Sequence, residues 1–144
     1  MDRLINVVVR CYRPDDLRAV KTLWEEVFPN DPAWNRAEAA IPRKTAFQPE
    51  LLLVAEDAGQ VVGTAMAGYD GHRGWLYAVA VKPTRQREGI GAMLVVEAEQ
   101  SLKNLGCGKI NLQVRSTNQG VIGFYRRLGY EVEDRVSMGK RATL

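Results

Sequence analysis

A chain of 144 residues, 46% hydrophobic and 26% charged, fits one globular domain with one core and gives no reason to expect disorder. Its formal net charge of +3 favours anionic ligands but is too small to argue for nucleic acid, and no nucleic-acid recognition motif is present. Two cysteines far apart, Cys11 and Cys107, and a single histidine, His72, cannot complete a zinc site, so no metal is expected and a reduced cytoplasmic protein is the plain reading.

Residues 4–12 are β-branched and apolar and predict a first strand; the run is too short to span a membrane and lacks a signal-peptide cleavage site. In "RPDDLRAVKTLWEEVF", Pro14 with Asp15 and Asp16 suits a helix start. Leu17, Val20, Trp24, Val27 and Phe28 then recur at helical spacing until "PNDP" breaks the pattern. Residues 34–47 predict a second, weaker helix interrupted by Pro42. "ELLLVAED" and "QVVGTAMAGYD" read as strands joined at Ala58-Gly59, and "GWLYAVAV" as a further strand ended by Pro83. Between the last two, Asp70-Gly71 in "GYDGHRGW" is a tight-turn pair, since both residue types accept positive φ.

A long helix from about Gly89 to Leu105 follows, with Ile90, Leu94, Ala98, Leu102 and Leu105 as its buried stripe and Gly106 at its end. "KINLQVR" predicts a strand. "NQGVIGFYRRLG" predicts a helix with Val121, Ile122, Tyr125 and Leu128 inward, and "YEVEDRVSMGKR" predicts one or two closing strands. The alternation gives a mixed α/β sheet with helices on both faces.

Chemistry concentrates in "AVAVKPTRQREGIGAML", where a strand enters a loop with two glycines and then a helix. Loop amides and the helix dipole make such a junction an anion site, most naturally for phosphate. Gly89 and Gly91 remove side chains where a ligand approaches, and Arg85 and Arg87 add positive charge. Gly91 is followed by Ala92-Met93 rather than Lys-Ser/Thr, which excludes a Walker loop, and Leu94 stands where a dinucleotide fingerprint needs its third glycine.

The remaining pattern, "QREGIG" from Gln86 to Gly91, preceded by "VAV" and followed by "NQGVIGFYRRLGY", resembles the N-acetyltransferases of the GNAT family over nearly the whole chain. "AVAVKPTRQREGIG" and "LQVRSTNQGVIGFYRRLGY" look most like the ribosomal-protein N-terminal (RimI-type) branch, and "GYDGHRG" with "SMGKR" like the YpeA-type bacterial acetyltransferases. The resemblance implies a single-domain α/β fold. Its mixed, mostly antiparallel sheet of six to seven strands would open between the fourth and fifth, with about four helices on both faces. It implies acetyl-CoA as co-substrate, with the pyrophosphate on main-chain amides of Gln86, Arg87, Glu88, Gly89, Ile90, Gly91 and Ala92. Val79, Ala80 and Val81 would hold the pantetheine arm as an added strand-like edge. Asn118 matches a cofactor-contacting asparagine and Tyr125 a tyrosine near the thioester sulfur.

The reaction so implied is acetyl transfer to a primary amine by direct attack in a ternary complex. The amine could belong to a protein N-terminus, a lysine or a small metabolite. A backbone N–H near Val79 would stabilise the oxyanion, and the Tyr125 hydroxyl would assist the leaving thiolate. The sequence departs from the pattern at the general base: Gln113 stands where RimI-type enzymes carry a glutamate, and Gln cannot take a proton. Asp70, His72, Glu25, Glu26 or ordered water remain as candidates. The departure also motivates an alternative, a non-catalytic acyl-CoA-binding module or sensor. The Trp34–Lys44 segment is either a wall of the acceptor site or a solvated helix face. No membrane or nucleic-acid partner is expected, and monomer and homodimer both stay open.

Overall fold

The structure, a computed structural model, describes residues 6–142, and the chain divides between Gln113 and Val114 into two compact units. The first holds β1 (Val7–Cys11), α1 (Leu17–Val27), α2 (Ala37–Ala46), β2 (Leu52–Asp57), β3 (Gln60–Tyr69), β4 (Gly74–Val81), α3 (Ile90–Asn104) and β5 (Ile110–Leu112). The second holds α4 (Gln119–Arg127) and the segment that follows it. Leu4 and Ile5, the start of the expected first strand, lie outside the described residues.

The strands align in the order β1-β2-β3-β4-β5, antiparallel except for the parallel β4–β5 pair. That last ladder runs only from Gly74–Ile110 to Leu76–Leu112, so Tyr77–Val81 continue past it without a strand on that side among the described residues. Alternation along the strands sends side chains to two faces. Leu52, Val54 and Ala80 pack with Val20, Leu23 and Trp24 of α1 and with Ala37 and Ile41 of α2. On the opposite face α3 lies so close that a Cβ on Gly63 would sit 2.8 Å from Leu94 Cδ1, and one on Gly74 3.0 Å from Leu102 Cδ1. Helices therefore cover both faces, as expected.

α1 begins where its sequence predicts because Asp16 is locked there. Arg10 of β1 donates a fork to the two Asp16 oxygens at 2.8 and 2.9 Å, and also reaches Glu56 of β2 at 2.7 Å. Asp16 accepts the Arg13 N–H at 2.7 Å, closing the first turn. The Arg10 hydrogen bond holds the buried Asp16 carboxyl below its usual range. No helix among the described residues is long and apolar enough to cross a membrane.

Four expectations need correction. The sheet has five strands among the described residues instead of six to seven. "YEVEDRVSMGKR" enters no ladder, and Val132, Val136 and Met138 are exposed. Its β-type alternation is a local preference that yields a strand only beside a partner. In the α3 stripe Leu105 is exposed, because it follows the last helical residue; Val95 is fully buried in the same face. The β3–β4 connection is a four-residue loop, 70–73, in place of a two-residue turn. Gly71 alone takes positive φ there, at 90°, while Asp70 acts through its side chain.

Candidate functional site

β4 is broken in its middle. Thr64 of β3 pairs with Ala80 and Met66 with Tyr77, so two steps on β3 oppose three on β4. Ala78 and Val79 form the bulge and have no place in the β3 ladder. Ala78 takes φ 48°, a left-handed conformation that costs a non-glycine residue roughly 1–2 kcal/mol. The insertion explains a puzzle of facing. Tyr77 and Ala80 are an odd number of positions apart, yet their partners Met66 and Thr64 lie on the same face, that of α1 and α2. The Ala78 carbonyl accepts a hydrogen bond from Thr64 Oγ1 at 2.9 Å, and Thr64 Oγ1 accepts one from Trp24 Nε1 at 2.9 Å.

β4 ends at Val81 and leads through a 3-10 turn at Pro83–Arg85 into the glycine loop. Arg87 and Gly89 both take positive φ, 66° and 94°, which folds the loop back onto the start of α3. The first N–H of α3 to bond within the helix is Met93, onto the Gly89 carbonyl at 3.1 Å. The amides of Ile90, Gly91 and Ala92 precede that bond and lie at the positive end of a 15-residue helix. Gln86, Arg87 and Gly89 are exposed, and Glu88 is half-buried. An anionic group of the pyrophosphate kind fits these donors.

Arg85 does not extend toward such an anion. It is committed to two carboxylates, Asp57 at the end of β2 at 2.9 Å and Glu88 in the loop at 2.9 Å. These hydrogen bonds raise the guanidinium pKa further, Glu88 contributing most. Arg85 therefore ties the loop to the sheet, and of the two arginines only Arg87 remains for a ligand. Asp57 could not have been found from sequence, because its part in the loop depends on where β2 ends in space.

In the second unit, Asn118 is the N-cap of α4, its Oδ1 accepting the Val121 N–H at 3.2 Å. Tyr125 is buried, in edge contact with Phe124 and Tyr130 at ring-centroid distances of 4.9 and 5.6 Å. Burial pushes its phenol up to about 12, so it is a hydrogen-bond donor throughout the neutral range. Gln113, the counterpart of the missing glutamate, is exposed just beyond β5.

The base candidates separate clearly. Asp70 Oδ1 accepts the His72 and Arg73 N–H groups, both at 2.7 Å, which lowers its pKa and makes it a poor proton acceptor. His72 is exposed at the hairpin tip. The five steps from Gly74 to Val79 put the bulge roughly 16 Å away at the usual rise of a strand. Glu25 instead lines a cleft of about 220 Å³ between α1 and the chain leading into α2, over Trp24 and Phe28 and beside Asp31. Glu26 lies outside that lining. Trp34 and residues 39–44 of the predicted acceptor wall do not line it, whereas Asn35, Arg36, Ala37 and Glu38 do. No group of His, Cys, Asp and Glu among the described residues is placed to hold a metal ion.

A bulged β-strand thus runs into a glycine loop and a helix terminus suited to an anion. The chain belongs to the acetyltransferase (GNAT) family, whose profile matches residues 17–130. It is 46% identical over 133 residues to an acetyltransferase of Pectobacterium atrosepticum, covering 92% of this chain and 94% of that protein. Chaetomium thermophilum Naa20, solved with a bisubstrate analogue, aligns with a TM-score of 0.73 at 28% identity, over 87% of this chain and 71% of that one. The aminoglycoside N-acetyltransferase AAC(6')-Iy in complex with CoA shares the fold, with a TM-score of 0.76 at 19% identity and 95% coverage of both chains. The protein is thus an acetyl-CoA-dependent acetyltransferase. The subgroup resemblance rests on the sequence motifs alone.

Proposed function

We propose that the protein transfers the acetyl group of acetyl-CoA to a primary amine by direct attack in a ternary complex. The observation that carries this reading is the Ala78–Val79 bulge immediately upstream of the glycine loop: it takes both residues out of register with β3 on the strand that leads to the pyrophosphate site. Acetyl-CoA supplies the activated acyl group. Gln86 to Ala92 bind its pyrophosphate through main-chain amides, and Val79, Ala80 and Val81 hold the pantetheine arm as a strand edge. The Val79 N–H donates to the acyl oxygen as charge develops there, a fixed dipole that needs no reorganisation during the reaction.

For the second unit, the family resemblance assigns Asn118 to cofactor contact and Tyr125 to the leaving sulfur. In that role, passing a proton from a phenol at about 12 to a thiolate whose conjugate acid is near 8.5 would be uphill. Tyr125 accordingly stabilises the thiolate by a hydrogen bond without giving up its proton. The acceptor enters by the cleft between α1 and the start of α2, whose lining of mixed charge, Lys21 and Arg36 with Glu25, Asp31 and Glu38, offers carboxylates to an amine.

The test is release of free thiol from acetyl-CoA with a panel of amines: peptides with free N-termini, lysine peptides, polyamines and aminoglycosides. Turnover above hydrolysis with any of them is the expected result. Tight CoA binding without turnover across the panel would replace the enzyme by an acyl-CoA sensor.

A further inference from the structure

Asp16 and Thr64 are the buried polar side chains among the described residues, and the Arg10 ion pair accounts for Asp16. Thr64 is 0% exposed on the face of β3 that packs against α1 and α2, among valines, leucines and alanines. A hydroxyl there must be satisfied on both its donor and its acceptor side. Its partners leave one arrangement. The Trp24 indole can only donate, so Thr64 Oγ1 accepts from it at 2.9 Å. The hydroxyl proton is then left for an acceptor, and the Ala78 carbonyl stands 2.9 Å away.

That carbonyl belongs to the peptide group joining Ala78 to Val79. The group is planar and trans, so its C=O and N–H point in opposite directions and turn together. Holding the Ala78 oxygen on Thr64 therefore fixes where the Val79 N–H points. The ladder cannot do this job, because neither Ala78 nor Val79 pairs with β3, and Ala78 sits in a conformation an alanine does not choose unaided. Thr64 and Trp24 come from β3 and α1, so the bulge is held by a side-chain relay where the backbone relay is interrupted.

We infer that Thr64 is a positioning residue for acetyl transfer: its hydroxyl, polarised by Trp24, anchors the Ala78–Val79 peptide plane and so aims the Val79 N–H. The inference rests on the role given to that amide under Proposed function. It makes Thr64 a determinant of rate more than of cofactor affinity, since the charge its anchored amide meets develops only during the reaction.

The experiment compares Thr64→Val, which keeps the shape and loses the hydroxyl, with Thr64→Ser, which keeps the hydroxyl and loses the methyl. Steady-state kinetics on an amine that the wild type accepts, and calorimetric acetyl-CoA binding, are read for each. Thr64→Val is expected to lower kcat about 10- to 100-fold, toward the loss seen when one oxyanion donor is removed. Its acetyl-CoA affinity should stay within about threefold, and Thr64→Ser should recover most of kcat. A folded Thr64→Val protein with wild-type kcat, or a Thr64→Ser protein as slow as Thr64→Val, overturns the inference. A parallel fall in kcat and cofactor affinity also overturns it, pointing to general loosening. Should Thr64→Val not fold, Thr64→Cys, with its weakly donating thiol, takes its place against Thr64→Ser.

A wild type that acetylates no amine would count against the proposed function, and the anchor is then judged on its own. The Val79 amide and Ala78 carbonyl resonances of labelled protein should move in Thr64→Val and return in Thr64→Ser. Unmoved resonances overturn the anchor whatever the activity.

Discussion

Replacing Gly63 by alanine tests how tightly β3 packs against the cofactor strand β4 and against α3. A Cβ there would lie 2.9 Å from the Ala80 carbonyl oxygen, 2.8 Å from Leu94 Cδ1 and 3.4 Å from Ile90 Cγ2. Leu94 is fully buried, so its methyl cannot swing into empty space, and the Ala80 oxygen is backbone. Reaching an ordinary contact requires α3 or β4 to move by about half an ångström, the usual overpacking situation, which costs about 1–3 kcal/mol. For a chain of this length that lowers the melting temperature by roughly 3–12 °C. The assay is a thermal melt of Gly63→Ala beside Gly108→Ala, whose added methyl meets nothing within 4 Å. Gly108→Ala should melt within about 2 °C of the wild type, since surface changes away from special features stay within about 0.5 kcal/mol. A Gly63→Ala protein that melts with the wild type would refute the packing argument. So would equal losses in the two variants.

Arg85→Ala leaves Asp57 and Glu88 facing each other without their cation beside an anion site, and acetyl-CoA affinity should fall about tenfold or more while the fold persists; calorimetry that finds wild-type affinity would show that the clamp does not shape the loop. Asp16 has a folded pKa below its ordinary 3.8, so the stability it contributes is present above that value and is lost as pH falls through the lower folded one. Melts between pH 7 and 2 should therefore show a steeper acid limb for the wild type than for Arg10→Leu, and parallel curves would contradict the assignment. Tyr125→Phe should lower kcat about tenfold or more with near-normal acetyl-CoA affinity. With the Tyr125 pKa raised to about 12, the wild-type kcat should also show no loss from tyrosinate formation below about pH 11; an earlier alkaline loss that Tyr125→Phe abolishes would show that burial does not hold the proton.

The amino-acid sequence by itself determined what depends on near neighbours in the chain. Val20 and Trp24 occupy a helical stripe, and Ile90, Leu94, Ala98 and Leu102 another. The two glycines of "QREGIG" mark the turn into α3, and these local patterns carry the family and its co-substrate. Tertiary structure decided what depends on residues meeting from afar. Whether "YEVEDRVSMGKR" becomes a strand rests on a partner that its alternation cannot supply. Arg85 reads as a phosphate ligand until the end of β2 brings Asp57 within 2.9 Å of it. Thr64 is an ordinary strand residue in the sequence. Only the extra residue in β4 and the arrival of Trp24 from α1 turn it into the anchor of a peptide plane. Helical stripes and glycine turns are set by contacts three or four residues apart. Register shifts and pairs such as Arg85–Asp57 and Arg10–Glu56 are set by packing among residues tens of positions apart, and no local pattern records them.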